Sequence, residues 1–156
     1  MMLGAVVPVF ITDLSPYRLE LARNMGGIPV SITDTSLISV MQANGYNKVD
    51  VAIDTSGKTA GRRTAFDVLD QRGVLVCVGH GEGLNLTISP DMIAPERAVL
   101  GSEYFTYSEL NSSLEMLQSH FNDLKPIITH RYPVSAIQEA FETFFAGSTG
   151  KVIIEQ

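Results

Sequence analysis

Three histidines, one cysteine, two glycine-bearing turns and a carboxylate at a strand end are the residues whose types and places bear on chemistry. His80, His120 and His130 fall in a loop, at a helix end and in a late strand, at spacings that match no common zinc signature. Cys77 is a single thiol inside the apolar run "GVLVCVG" and reads as a buried, inert packing residue rather than a nucleophile. Acidic residues are spread over helix faces, with no isolated pair to serve as acid and base. "GHGEG" (Gly79–Gly83) suggests a phosphate cradle, yet its spacing is G-x-G-x-G and no helix clearly follows, so beyond Gly79 it reads as a flexible loop. "TSG" (Thr55–Gly57) follows a strand and faces the crevice where open α/β sheets hold ligands; its other reading is ordinary turn chemistry. Asp13 ends an apolar run and precedes a helix, where a carboxylate could also merely help to start that helix. Arg18, five residues on, is by its chemistry an exposed arginine on the first helical turn. Lys151, in "GKVII", has no partner to support a general-base role.

The elements that position these residues alternate along the chain. Strand-like runs occur at Val6–Thr12, Ile28–Ile32, Val49–Asp54, Gly73–Gly79, Ala98–Gly101 with an extension to Phe105, and Ile127–Tyr132. Helix-period segments occur at Ser15–Met25, Ser36–Asn44, Thr59–Gln71, Thr106–Phe121 and Ser135–Ala146. Ser15-Pro16 places a capping hydroxyl before a proline at the first helical position. Thr106-x-x-Glu109 and Ser135-x-x-Gln138 read as capping boxes, and Gly26 and Gly147 as left-handed C-terminal caps. "VDVAID" and "GVLVCVG" are apolar nearly throughout, as in strands covered on both faces. Alternation of this kind predicts an α/β fold with a mainly parallel sheet flanked by helices, in one domain over residues 1–156.

"VFITDLSPYRLELARNMGG", "VDVAIDTSG", "GVLVCVGHGEG", "VLGSEYF" and "ITHRYPVSAIQEAFETFFAGSTGKVIIEQ" occur in an order that resembles the cofactor-binding, Rossmann-like half of the medium-chain, zinc-type alcohol dehydrogenase superfamily. The resemblance runs from about Leu3 to Gln156. Members of that superfamily carry, ahead of the matching segment, a GroES-like catalytic domain with zinc ligands, then the first strand and a GxGxxG turn. The expected fold is therefore Rossmann-like, lacking that strand and turn.

The resemblance assigns cofactor-binding positions. Asp13 would accept hydrogen bonds from the adenosine ribose hydroxyls, favouring NAD over NADP, with Arg18 beside the same ribose. Thr55 would line the adenine pocket, and Val78 and Gly79 would pass near the nicotinamide ribose. No catalytic residue and no zinc site is expected on this chain, and NAD binding is expected to be weak or lost. The strand resembling Val99–Phe105 implies a homodimer across a sheet edge. Without the first strand, the strands at Val6–Thr12 and Val49–Asp54 lose a shared neighbour, and their closure by direct pairing is expected.

The bulk properties narrow the field. A net charge of −6 and a pI near 4.9 argue against nucleic-acid and anionic-membrane partners. The start lacks the basic region and cleavage site of a signal peptide, no apolar run is long enough to cross a bilayer, and one cysteine excludes an internal disulfide, so a cytoplasmic location is expected. Three functions are then open: a non-catalytic or vestigial cofactor-binding fragment, one half of a split NAD-dependent dehydrogenase completed by another chain, and a self-assembling interaction module.

Overall fold

A nine-residue helix joins two short parallel strands near the start of the computed structural model, which describes residues 7–156. Strand β1 (Phe10–Asp13) and strand β2 (Ile28–Ser31) run in register, from Phe10 opposite Ile28 to Asp13 opposite Ser31. The part of the predicted first strand before residue 7 lies outside the described residues. Parallel strands need a crossover, and α1 (Pro16–Asn24) supplies it, burying Leu19 and Ala22. Pro16 sits at the helix start, where its missing N–H costs nothing. Ser15 does not cap α1 with its hydroxyl as expected; Asp13 ties the turn instead, and the Ser15 hydroxyl donates to the Gly147 carbonyl at 3.4 Å. Gly26, at φ 85°, has the expected left-handed geometry.

Helix α2 (Leu37–Ala43) leads the chain from this unit, which also includes Thr106–Gln156, into a second compact unit, Met41–Phe105. In the second unit β3 (Val49–Asp54), α3 (Thr59–Asp67), β4 (Leu69–Cys77) and β5 (Ala98–Gly101) build a wholly parallel sheet of order β3-β4-β5. Phe66 of α3 and Leu69 and Leu75 of β4 are closed to solvent, with Ala52, Cys77 and Val99 packed against them. Helix α3 stops four residues before the predicted Gln71, because buried Leu69 already pairs with Val49 as strand. β4 ends before the predicted Gly79, because the Val78 and Gly79 N–H groups turn to the Asp54 carbonyl at 2.8 and 3.0 Å. The extension of β5 to Phe105 is not formed: Tyr104 adopts φ 54°, which an extended strand does not allow.

A further expectation fails at β3. Its Ala52 side is covered, but Val51 and Ile53 are 57% and 64% exposed, so this strand is not apolar-covered on both faces. Within its own unit, each of β1 and β3 takes its ladder from the parallel neighbour that its own crossover delivers.

The remaining elements belong to the first unit. A 3₁₀ turn at Tyr107–Glu109 leads into α4 (Leu110–Ser119), and the expected capping box is formed, with Glu109 reaching back to the Thr106 backbone N–H at 2.7 Å. The short α5 (Phe121–Leu124) precedes β6 (Ile128–Pro133), α6 (Ile137–Phe145) and β7 (Lys151–Glu155). β6 and β7 pair in parallel through α6, making a strand of the closing segment that periodicity left unassigned. The Ser135–Gln138 box is replaced by a 3₁₀ turn at Val134–Ala136, and the Gln138 amide donates to Glu142. Gly147 takes φ 79°, as expected of a cap.

Candidate functional site

In the first unit the chemistry gathers at the C-terminal end of β1. Asp13 is its last residue, and its Oδ1 accepts the Ser15 N–H at 2.8 Å. Arg18, in the first turn of α1, places Nη1 3.3 Å from Asp13 Oδ2 and donates through Nη2 to the Gly147 carbonyl at 3.2 Å. The carboxylate is three-quarters buried but open on one side, and its two oxygens retain acceptor capacity beyond these two donors. A vicinal diol could be held there. The sequence-predicted pair Asp13 and Arg18 is thus brought together.

The second unit holds a denser arrangement that sequence reasoning missed. Asp54, the last residue of β3, is buried, and its Oδ1 accepts the Ser56 N–H at 2.9 Å and the Ser56 hydroxyl at 2.6 Å. Oδ2 accepts the Gly57 N–H at 3.2 Å and Arg62 Nε at 2.9 Å. Burial pushes the Asp54 carboxyl up, but the Ser56 hydroxyl, the Arg62 guanidinium and the two backbone N–H groups outweigh it and hold the carboxyl below its ordinary value. Arg62 Nη2 also donates to the Gly79 carbonyl. One local signal existed. An aspartate at a strand end followed two residues on by serine is the pattern of an Asx turn.

That pair organises a close crossing of two loops. A Cβ on Gly57 would collide with the His80 carbonyl, and one on Gly79 would lie 2.7 Å from the Thr55 carbonyl carbon. The segment after Gly79 is not the free loop expected from its glycines. The Glu82 N–H donates to the Gly57 carbonyl at 2.7 Å, and the Glu82 carboxylate accepts the Thr59 N–H at 2.9 Å and Lys58 Nζ at 3.0 Å. The Thr59 N–H, ahead of the Lys58 ammonium, holds the Glu82 carboxyl low.

Beyond the crossing, at the C-terminal ends of β4 and β5, lies an open cleft of about 460 Å³. Arg62, Cys77, Val78 and Gly79 line one side, and Gly101, Ser102 and Glu103 the other. Of the predicted residues, Val78 and Gly79 face this cleft, whereas Thr55 does not line it and is exposed. Cys77 is half-buried on the wall rather than sealed in the core. His80 Nε2 stands 3.3 Å from Glu103 Oε1. A Cβ on Gly101 would meet nothing within 4 Å, so the wall is open where a flat ring or a sugar would approach. Ligands of open α/β sheets lie at such strand ends. Among the described residues, no three His, Cys, Asp or Glu side chains stand together as a metal ion would need, and no step of zinc chemistry is assigned to these residues.

The family model for zinc-binding dehydrogenases matches residues 1–119. The chain belongs to the zinc-binding dehydrogenase family. L-Threonine 3-dehydrogenase of Saccharopolyspora erythraea is 33% identical over 152 residues, covering 94% of this chain and 43% of the relative. L-Idonate 5-dehydrogenase of Escherichia coli superposes with a TM-score of 0.78 at 26% identity, over 96% of this chain and 43% of its own. An alcohol dehydrogenase of Escherichia coli, solved with NADH, superposes with a TM-score of 0.80 at 17% identity, over 97% and 45%, and shares the fold. The chain therefore spans about 43% of the length of the curated relatives it matches. The Rossmann-like, mainly parallel architecture expected from the sequence agrees with these dehydrogenase folds.

Proposed function

We propose that this member of the family forms the dinucleotide-binding portion of an NAD-dependent dehydrogenase and that the isolated chain turns over no alcohol. The observation that carries this reading is Asp13, a carboxylate at the C-terminal end of a parallel strand, fixed by the Ser15 N–H and Arg18. Its free acceptor capacity suits the adenosine ribose hydroxyls, and its charge disfavours a 2′-phosphate, which selects NAD. In the second unit, the Val78–Gly79 wall suits the nicotinamide ribose. The related threonine and idonate dehydrogenases, by their names, act on small polar substrates, and a secondary alcohol of that class is the substrate of the complete activity. Zinc would polarise that alcohol's oxygen. Its ligands and the substrate pocket come from polypeptide corresponding to the rest of the relatives' length. An NAD-dependent role of this kind belongs in the cytoplasm, where NAD is abundant.

Calorimetric titration of the chain tests the reading. NADH is expected to bind weakly and NADPH more weakly still, and Asp13→Ala to remove the difference. Zinc-dependent reduction of NAD by the chain with threonine or a polyol would refute the inactive state.

The exposed Val51–Ile53 face favours a second reading, in which another polypeptide covers β3 and turnover returns. Co-expression with a catalytic half from the same genome, yielding no complex, would end it. In a third reading the chain is a self-assembling module, joined through the edge that includes β5.

A further inference from the structure

Arg62 has no place in the cofactor contacts assigned above, yet it is the residue that ties the floor of the cleft to the sheet. Its Nε is 2.9 Å from Asp54 Oδ2, and its Nη2 donates to the Gly79 carbonyl. The Asp54 backbone carbonyl meanwhile accepts both the Val78 and the Gly79 N–H groups. The segment Val78–Gly79 is thus gripped from both sides, by the backbone of Asp54 below and by the arginine paired with the Asp54 side chain. At the Gly57–Gly79 crossing beside it the two backbones meet without room for a single Cβ.

We propose that Arg62 is the positioning residue of the nicotinamide-side cleft. Anchored on Asp54, it fixes the Gly79 carbonyl directly, and so the orientation of the Val78–Gly79 backbone that a ligand would meet. The proposal rests on the reading of this cleft as the nicotinamide-ribose site. A planar guanidinium fork can do this because two of its nitrogens serve two acceptors at fixed geometry, which a single ammonium cannot reproduce. Arg62→Lys therefore retains a positive charge beside Asp54 and with it the folded state, but loses the shared grip on Gly79. Arg62→Met removes both.

The test uses the 156-residue chain, labelled with ¹⁵N and titrated separately with reduced nicotinamide mononucleotide and with AMP. In the parent protein the nicotinamide probe is expected to shift the amides of Val78 to Glu82, and AMP those around Asp13. Arg62→Lys is expected to weaken the nicotinamide probe about tenfold while AMP affinity stays within about twofold, since loss of one charge-assisted bond is felt locally. Arg62→Met is expected to lose the nicotinamide response altogether. Unchanged nicotinamide affinity in Arg62→Lys overturns the proposal. Equal weakening of both ligands, with a lowered melting temperature, also overturns it, because Arg62 would then act on the fold alone. If the parent protein gives no response to the nicotinamide probe, the reading of the cleft fails first, and the role of Arg62 falls with it.

Discussion

Arg62 Nε stands 2.9 Å from Asp54 Oδ2, and the two side chains keep only 11% and 3% of their surface in solvent. Two charges so far out of water owe their place to each other and to the hydrogen bonds around them. Removing the guanidinium leaves Asp54 with its Ser56 and Gly57 donors but without a countercharge, at a cost of up to about 3–5 kcal/mol for a buried pair. Arg62→Met is expected to lower stability by that order, read as a reduced urea midpoint at unchanged slope. A loss within experimental error would mean that water reaches Asp54 once the guanidinium is gone.

The same pair makes stability depend on pH in a defined direction. The folded-state carboxyl of Asp54 lies below its ordinary value of 3.8, so the unfolded chain takes up the proton first as the pH falls. Its contribution is complete above that ordinary value and is lost as pH drops through the lower folded value. Arg62 stays charged throughout this range. Melting temperatures measured from about pH 6 down to about pH 2 should fall more steeply for the parent chain than for Asp54→Asn, which has no proton to take up. Parallel curves would remove Asp54 from the acid response.

Gly57 combines φ 66° with a place against the His80 carbonyl that a methyl group would occupy. Gly57→Ala meets a conformational penalty of about 1–2 kcal/mol and an overpacking cost of about 1–3 kcal/mol. Gly83 has nothing within 4 Å of its missing Cβ. Gly83→Ala is therefore the control and should melt close to the parent, whereas Gly57→Ala should melt well below it. Equal melting temperatures would show that the crossing of the two loops gives way cheaply.

What could be read from the chain alone follows the range over which each feature is decided. Gly26 and Gly147 need a left-handed φ for reasons confined to their own helix ends, and Glu109 reaches back only three residues to Thr106. Asp13 is marked by the strand before it and the helix after it. The Asp54–Arg62 pair has no such local mark, since Arg62 reads as one more charge on a helix until α3 folds back over the end of β3. Gly57 meets Gly79, and Glu82 meets Thr59, only because the parallel sheet places the ends of β3 and β4 side by side. The contacts that hold the cleft floor were therefore hidden, although Val78, Gly79 and both strands that carry them were legible. Tyr104 misled for the opposite reason: an aromatic beside Phe105 suits a strand, but its backbone has turned to φ 54°.

That turn bears on assembly. β5 ends its sheet among the described residues, and beyond it Tyr104 and Phe105 are 90% and 61% exposed, with Leu100 of the strand at 54%. An edge strand with unpaired backbone groups beside exposed aromatics is a surface that natural proteins cover or blunt, and nothing charged blunts Ala98–Gly101 itself. A homodimer through the Val99–Phe105 segment would pair the β5 edge with its copy and bury the aromatics at its margin. Light scattering at tens of micromolar is expected to give twice the chain mass, and Phe105→Glu to shift it towards the monomer by setting a charge into that margin. Leu100→Lys, on the strand itself, should act more strongly than Phe105→Glu, because the segment after Gly101 no longer runs as strand. A monomer in the parent chain would rule the dimer out, and a dimer that withstands both changes would place its interface on another surface.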